Sequence, residues 1–141
     1  MSTQENKAIV RRLLEDIWSN GNLNVVDEIF TTNFVRHGPA LEGEVSGREA
    51  VKKLVTMFRN GFPDLRTSTA DQVAEGNLVV TRWTARGTHR GELMGIAPSG
   101  KQITIAGALI NRLAGGKIEA EWAYYDAMDM MKQLGVAAPG V

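Results

Sequence analysis

The sequence predicts an α+β fold in which helices cover the concave face of a curved antiparallel sheet. Three segments before Pro63 repeat apolar residues at helical spacing, whereas the residues after Pro63 form extended stretches rich in threonine, valine and isoleucine. Turn signals such as "EGN", "APSG" and "AGGK" divide those stretches. Helices followed by a run of antiparallel strands indicate an α+β fold rather than a doubly wound parallel sheet. We expect a single domain over residues 1–141, with an apolar cavity open at one end.

Capping signals predict where the helices begin. Ser2 and Glu5 form a capping box ahead of the first apolar run, and Ser46 and Glu49 form another ahead of the third. Asn22 is the predicted cap of a short helix between them. The first half of the chain is therefore expected to be mostly helical.

The second half of the chain is predicted to form four strands, at residues 65–74, 78–90, 102–113 and 117–125. The middle two are long enough to bend, and Gly87 and Gly107 are the candidates for a bulge. A short helix that includes Met128 is expected to stop at Gly135, and residues 136–141 are expected to form a loose tail.

The composition of the chain excludes several classes of function. Lysine plus arginine number 16, as do aspartate plus glutamate, so no net positive charge favours nucleic acid or an anionic membrane. The absence of cysteine excludes disulfides, thiolate catalysis and cysteine-ligated metal sites. No apolar run approaches the roughly 20 residues of a membrane span. We therefore expect a cytoplasmic protein with neither a nucleic-acid nor a membrane partner.

The segment "EWAYYDAMDMM" raises the main question about chemistry. Strict alternation along the last strand places Trp122 and Tyr124 on the inward face, and one further step adds Asp126. Burial among aromatic rings disfavours the charged carboxylate, which suits a proton carrier near neutral pH. An equally good interpretation is that Asp126 caps the following helix and accepts the amide of Met128 or Asp129. The local sequence leaves both interpretations open.

Other residues complete a predicted pocket. His37 in "FVRHGP" follows a strand-like segment and His89 in "GTHRG" begins a glycine-rich turn, although a structural role suits either. They are far apart in the sequence and have no helical partner at i+4, so we predict no metal site. Arg112 falls on the same face of its strand as Ala106, Ala108 and Ile110, so it is expected to point into the cavity, where it is a candidate to stabilise an enolate or a carboxylate. The apolar members of the predicted pocket are Phe58, Phe62, Trp83 and Met128.

The run "GTHRGELMGIAPSGKQITIAGALINRLAGGKIEAEWAYYDAMDMMKQLG" resembles the SnoaL-like polyketide cyclases of the NTF2-like superfamily. The shared pattern is G-T-H-x-G, then G-I-x-P-x-G-K, G-K-I-x-E-x-W, an aspartate and a closing Q-L-G. The chain departs from this pattern where Ala120 replaces a frequent glutamate and Glu121 replaces a frequent histidine. Arg112 stands where we align the second polar residue of the cyclases.

The resemblance implies a cone-shaped α+β barrel whose cavity binds a small hydrophobic ligand, aromatic or polyketide-like. In the cyclases, an aspartate at the end of the last strand is the general acid/base of an intramolecular aldol condensation that needs no cofactor, and Asp126 matches it. The resemblance also implies a homodimer. Two alternatives remain open: a non-catalytic binding domain of the same fold, and an isomerase or dehydratase that uses the same cavity.

Overall fold

The computed structural model describes residues 1–136. The helices are α1 (Thr3–Arg12), which continues as a π-helical segment (Leu13–Ser19), α2 (Asn24–Ile29), α3 (Arg48–Gly61) and α4 (Ala127–Gln133), with a 3₁₀ turn at Ala40–Glu42. The strands are β1 (Phe30–His37), β2 (Val45–Ser46), β3 (Arg66–Glu75), β4 (Leu78–Thr88), β5 (Gln102–Ala114) and β6 (Lys117–Tyr125). The expected loose tail lies outside the described residues except for Val136.

All the strands in the described part of the chain belong to one curved sheet, in the order β2-β1-β6-β5-β4-β3. β1 runs parallel to β6, and every other neighbouring pair is antiparallel. The four strands predicted after Pro63 are confirmed to within two residues at each end, and the chain also adds β1 and β2 at one edge. Within residues 1–136 the sheet does not close on itself, because its edge strands β2 and β3 do not pair. The predicted α+β class is confirmed.

The predicted bulges at Gly87 and Gly107 are wrong. The register between β4 and β5 is unbroken from Leu78 to Thr88, and both glycines lie within it. Gly107 instead makes room for a neighbour, because an added Cβ would collide with Cζ2 of Trp83. Gly87 does the same for Phe62. The register of the sheet shifts at other places, one of which, beside Arg112 on β5, determines which side chains of β6 face inward.

Of the three helix caps predicted before Pro63, one is confirmed. The Ser2 hydroxyl accepts the amide of Glu5, and the Glu5 carboxylate accepts the amide of Ser2. The box at Ser46 is wrong, because Ser46 is paired with β1 and Gly47 begins the helix without a side-chain cap. The cap at Asn22 is also wrong, since α2 begins one residue later than such a cap requires and has Leu23 at its cap position.

The core lies between the helices and the concave face of the sheet. It contains the apolar faces of α1 and α3, exemplified by Val10, Ile17 and Val55, together with Phe30 and Leu109 from the sheet. Each fully buried side chain of this size stabilises the fold by about 1.5–3 kcal/mol. No helix within residues 1–136 has the length and apolar character needed to cross a membrane. The packing of α1 and α3 leaves part of the concave face uncovered, and this gap forms the cavity described below.

Candidate functional site

An apolar cavity lies between the helices and the concave face of the sheet. Its volume is about 70 Å³ and it is partly open to solvent. Aromatic and aliphatic side chains from α1, α3 and the sheet form most of its wall, among them Trp18, Phe58, Phe62, Ile105 and Leu109. A dry cavity of roughly 150 Å³ binds benzene, so only a small group fits inside the wall, and a larger ligand would extend through the mouth.

Two charged residues, Arg36 and Glu42, contribute to the wall of the cavity and pair with each other. Arg36 donates from Nε to Oε1 of Glu42 at 2.8 Å and from Nη2 to Oε2 at 3.0 Å. The Tyr125 hydroxyl also lies in the wall and donates to Oε2 of Glu42 at 2.6 Å. The Glu42 side chain is only 1% exposed. The cavity therefore has one polar patch, in which a carboxylate is held by a bidentate guanidinium and a phenol.

A second carboxylate lies behind Arg36. Glu121 is buried and accepts from Nη1 of Arg36 at 2.5 Å and from Nδ2 of Asn111 at 2.9 Å. One guanidinium is thus shared by two buried carboxylates, and with Tyr125 neutral the cluster carries one formal negative charge in excess. Burial of an uncompensated charge is costly, so the arrangement is unusual for a purely structural network.

The charges in this cluster perturb its ionisable groups. Burial lowers the pKa of Arg36, but the charges and hydrogen bonds of Glu121 and Glu42 outweigh burial and raise the pKa above its usual range. Burial, reinforced by the adjacent Glu42 carboxylate, raises the pKa of Tyr125 far above that of a free phenol. Arg36 is therefore a permanent cation and Tyr125 a neutral hydrogen-bond donor across the physiological pH range.

Trp83 brings an unused donor to the same cavity. Its indole lines the wall and lies edge-on to the Tyr125 ring, with 6.1 Å between the ring centroids. Its Nε1–H group is buried and has no hydrogen-bond partner among residues 1–136. A buried N–H without a partner costs about 1–3 kcal/mol. Trp83 therefore holds an N–H group in the wall of the cavity that lacks an acceptor among residues 1–136.

Three of the predicted pocket residues, Phe58, Phe62 and Trp83, line this cavity. Asp126 does not, and its predicted placement inside an aromatic pocket is wrong. It is exposed and caps α4, where Oδ1 accepts the amide of Asp129 at 2.9 Å. The alternative prediction of a helix cap is confirmed, while its role as acid/base stays a prediction.

The inward face predicted for β6 is also wrong over its second half. Leu113 pairs with Ile118 but the preceding Arg112 pairs with Ala120, so β6 holds one extra residue, Glu119. An extra residue reverses the alternation beyond it. Beyond this bulge, Glu121, Ala123 and Tyr125 therefore face inward. The opposite face carries Trp122, and Tyr124 is 57% exposed there.

The other predicted pocket residues lie on the outer surface or serve the fold. On the outer face, the Trp122 ring stacks on His37, with centroids 5.3 Å apart, and the Arg112 guanidinium lies 5.5 Å from the Trp122 ring. Arg112 also pairs with Glu119 at 2.8 Å, so the predicted inward placement of Arg112 is wrong. Met128 is 53% exposed, on the helix α4.

His89 is fully buried but is not part of the cavity wall within the described residues. Its Nδ1 accepts the amide of Ser99 at 3.2 Å and also contacts the Ser99 hydroxyl at 2.9 Å. Its ring packs against Phe62, with 5.7 Å between the centroids. Its amide and carbonyl bond to the far end of the same loop, at Lys101 and Gly100. His89 therefore holds the loop between β4 and β5 against the core.

The polar cluster contains the residues that sequence reasoning missed: Arg36, Glu42, Asn111, Glu121 and Tyr125. The sequence did contain a signal for Arg36, because this charged residue directly precedes the candidate His37 in a short strand-like segment. None existed for Glu42, which lies in a polar stretch that reads as an ordinary loop. Over residues 1–136, no three side chains of histidine, aspartate or glutamate converge closely enough to hold a metal ion.

Comparison with known proteins identifies relatives along nearly the whole chain. The family model for SnoaL-like polyketide cyclases matches residues 8–134. A search of curated proteins found no match. The solved structure of IdmH from Streptomyces antibioticus, a candidate polyketide cyclase, is 29% identical with a TM-score of 0.81, and the match covers 93% of this chain and 99% of IdmH.

Two further solved structures agree with this match. A candidate polyketide cyclase from Acidithiobacillus ferrooxidans is 27% identical with a TM-score of 0.82, covering 98% of this chain and 100% of that one. A candidate SnoaL-like polyketide cyclase from Jannaschia sp. CCS1 has a TM-score of 0.87 over 96% of this chain and 95% of its own. At 23% identity, the last of these supports the fold alone.

Proposed function

Because this chain belongs to the SnoaL-like polyketide cyclase family, we propose that it binds a small, mostly apolar carbonyl compound and catalyses its cyclisation without a cofactor. The observation that carries this proposal is the apolar cavity with a single polar patch in its wall. Such a cavity favours a ligand that is apolar over most of its surface and polar at one point. A ketone or a β-dicarbonyl compound has this character.

The proposed reaction is an intramolecular aldol condensation. A carboxylate removes an acidic proton from the carbon next to a carbonyl group, and the C–H electron pair forms an enolate. The enolate carbon attacks a second carbonyl carbon of the same molecule, and the new alkoxide takes the proton back from the carboxylic acid. The cavity wall holds the two reacting carbons together, which replaces an encounter in solution.

Ligand binding is tested first, by blocking the cavity. Ala85 lines the cavity, whereas Ala106 lies exposed on the opposite face of the sheet. We expect Ala85→Leu to abolish the NMR chemical-shift changes that a small bicyclic ketone such as 2-indanone causes in the wild-type protein, and Ala106→Leu to retain them. Equal binding by both variants would place the ligand elsewhere and refute the proposal.

A second candidate function is a non-catalytic binding domain of the same fold. The observation that favours it is the position of Asp126, the residue that the family resemblance nominates as acid/base, at an exposed helix cap. The two functions differ in turnover. A catalytic protein converts a linear β-polycarbonyl compound to a cyclic product faster than buffer does, whereas a binding domain holds the compound unchanged.

A further inference from the structure

The geometry points to Glu42 as the proton acceptor of this cavity and to Trp83 Nε1–H as the donor that holds the ligand's carbonyl oxygen. This inference rests on the proposed function and deepens it, because it names the reacting group and the ligand class. The ligand would be a ketone with an acidic C–H next to its carbonyl group. Four features of the site support the assignment.

The first feature is access to the cavity. Glu42 is the one carboxylate among the residues that line the cavity in the described part of the chain. Asp126 is absent from that wall and faces solvent. A general base must come within hydrogen-bond distance of the proton it removes. Glu42 is placed for this role because its side chain is part of the cavity wall.

The second feature is a free position on the Glu42 carboxylate. Oε2 accepts from both Arg36 Nη2 and the Tyr125 hydroxyl, whereas Oε1 accepts only from Arg36 Nε within the described residues. A carboxylate oxygen can accept about two hydrogen bonds. Oε1 thus has one acceptor position that no donor in residues 1–136 fills, while the other bonds keep the carboxylate oriented.

The third feature is the charge of the cluster. Glu42 and Glu121 share the single guanidinium of Arg36, and both are buried. Addition of one proton to Glu42 would make the cluster neutral, because Tyr125 is already protonated. Transfer of a proton from the ligand to Glu42 would therefore remove the excess formal charge from this buried cluster.

The fourth feature is the unpartnered indole of Trp83. The Tyr125 ring contacts both Glu42, through its hydroxyl, and the Trp83 ring, through its edge. Trp83 and Glu42 thus both contact Tyr125 in the wall of one cavity. When the ligand loses its proton, negative charge develops on the carbonyl oxygen, and a preorganised donor in an apolar site stabilises that charge. Trp83 would gain the hydrogen bond that it otherwise lacks.

The proton-transfer step balances without any other reactant. The α C–H bond of the ketone breaks and an O–H bond forms at Oε1 of Glu42. The C–H electron pair becomes the C=C bond of the enolate, and the carbonyl electron pair moves to the oxygen that accepts from Trp83 Nε1–H. In D₂O the new carboxylic acid exchanges its proton for a deuteron, so return of the deuteron labels the ligand carbon.

This labelling provides the test. The rate of deuterium incorporation into 2-indanone is measured by NMR with wild-type protein and with Glu42→Gln, Trp83→Phe and Asp126→Asn, and the dissociation constant is measured for each. Removal of a general base costs about 10²–10⁴-fold in rate, and removal of one oxyanion donor costs about 10²–10³-fold. We expect losses of this size for Glu42→Gln and Trp83→Phe, with dissociation constants changed by only a few fold.

Controls separate this assignment from folding effects. Glu119→Gln changes a partly exposed carboxylate that is paired with Arg112, and it should retain the full exchange rate. Glu42→Asp keeps the negative charge but places the carboxylate one methylene further from the ligand, so it should lose catalysed deuterium exchange. This variant tests the assignment even if Glu42→Gln fails to fold. The indole ¹⁵N–¹H signal of Trp83, assigned with Trp83→Phe, should shift downfield when the ketone binds to the wild-type protein.

The outcomes distinguish the two proposals. No binding of 2-indanone to the wild-type protein would refute the proposed function. Binding without catalysed exchange, or exchange that survives in folded Glu42→Gln and Glu42→Asp, would overturn the assignment of Glu42 alone. Loss of exchange in Asp126→Asn but not in the Glu42 variants would assign the base to Asp126. An unchanged Trp83 indole signal on binding would overturn the role of Trp83.

Discussion

Replacement of Arg36 by methionine tests the electrostatic account of the cavity most directly. The substitution removes three of the hydrogen bonds that reach Glu42 and Glu121 and leaves both carboxylates buried without a cation. Among residues 1–136, Glu42 would retain only the Tyr125 hydroxyl as a donor, and Glu121 only the Asn111 amide. Removal of one partner from a buried ion pair costs about 3–5 kcal/mol. We therefore expect Arg36→Met to lower the free energy of unfolding by at least this amount.

The matched control is Arg112→Met. Arg112 also pairs with a glutamate at 2.8 Å, but its side chain is 44% exposed, whereas that of Arg36 is 7% exposed. Exposed pairs contribute about 0–1 kcal/mol. Urea unfolding followed by tryptophan fluorescence gives the free energy of unfolding of each variant. In thermal unfolding, the melting temperatures of the two variants should differ by roughly 10 °C. Equal losses in the two variants would refute the reasoning.

A third variant separates stability from function. Arg36→Met combined with Glu42→Leu and Glu121→Leu removes the whole ionic triad, and apolar replacement of a buried triad is often neutral or stabilising by about 1–4 kcal/mol. We expect this variant to recover most of the stability lost in Arg36→Met. It should nevertheless catalyse no deuterium exchange, because the proposed base is gone.

Three further predictions concern other parts of the molecule. We propose that the outer face of the sheet pairs two copies of the chain, since Val73 and Tyr124 are 65% and 57% exposed there; sedimentation should show a dimer, and Tyr124→Arg should shift it to monomer. Asp126→Ala should cost about 0.5–2 kcal/mol in urea unfolding and Asp126→Asn almost nothing, because asparagine caps equally well. The Thr88 amide, followed by its hydroxyl, lowers the pKa of Asp64 below its usual 3.8. That stabilisation is complete above the usual pKa and is lost as the pH falls through the lowered value, so Asp64→Asn should flatten the acid limb of a stability–pH profile.

The strands after Pro63 could be predicted from sequence because their signals are local. Threonine, valine and isoleucine favour extended backbone, and glycine pairs such as Gly115 and Gly116 mark the turns, so the predicted bounds agree with β3 to β6. The cap at Ser2 was predictable for the same reason. The cap at Ser46 was not, because pairing of Ser46 with Val35 in β1 is a tertiary contact that overrides a local preference.

The face of β6 could not be predicted because a single bulge decides it. Side chains alternate with a period of two, so one extra residue at Glu119 exchanges the inward and outward sets. Before the bulge the predicted alternation holds, and Ile118 is fully buried. Beyond it, Tyr125 takes the inward position that was expected for Tyr124. Nothing in "KIEAEWAYY" marks the position of the extra residue.

The polar cluster could not be predicted because its residues are far apart in the sequence. Arg36 meets Glu121 across 85 positions, and only the parallel pairing of β1 with β6 brings the two strands side by side. Charged residues of both signs are spread along the whole chain, so composition gives no reason to select these. The apolar residues Phe58, Phe62 and Trp83 were easier to predict as cavity residues, because large apolar side chains line most cavities of this kind.

The position of Asp126 also affects how a catalytic result should be interpreted. Asp126 caps α4, and α4 carries Met130, which is fully buried and lines the cavity. A substitution that loosens the cap therefore changes the cavity wall without touching the ligand. Loss of activity in Asp126→Ala is consequently expected whether or not Asp126 transfers protons. Only Asp126→Asn, which keeps the cap and removes the ionisable carboxyl, separates the two roles.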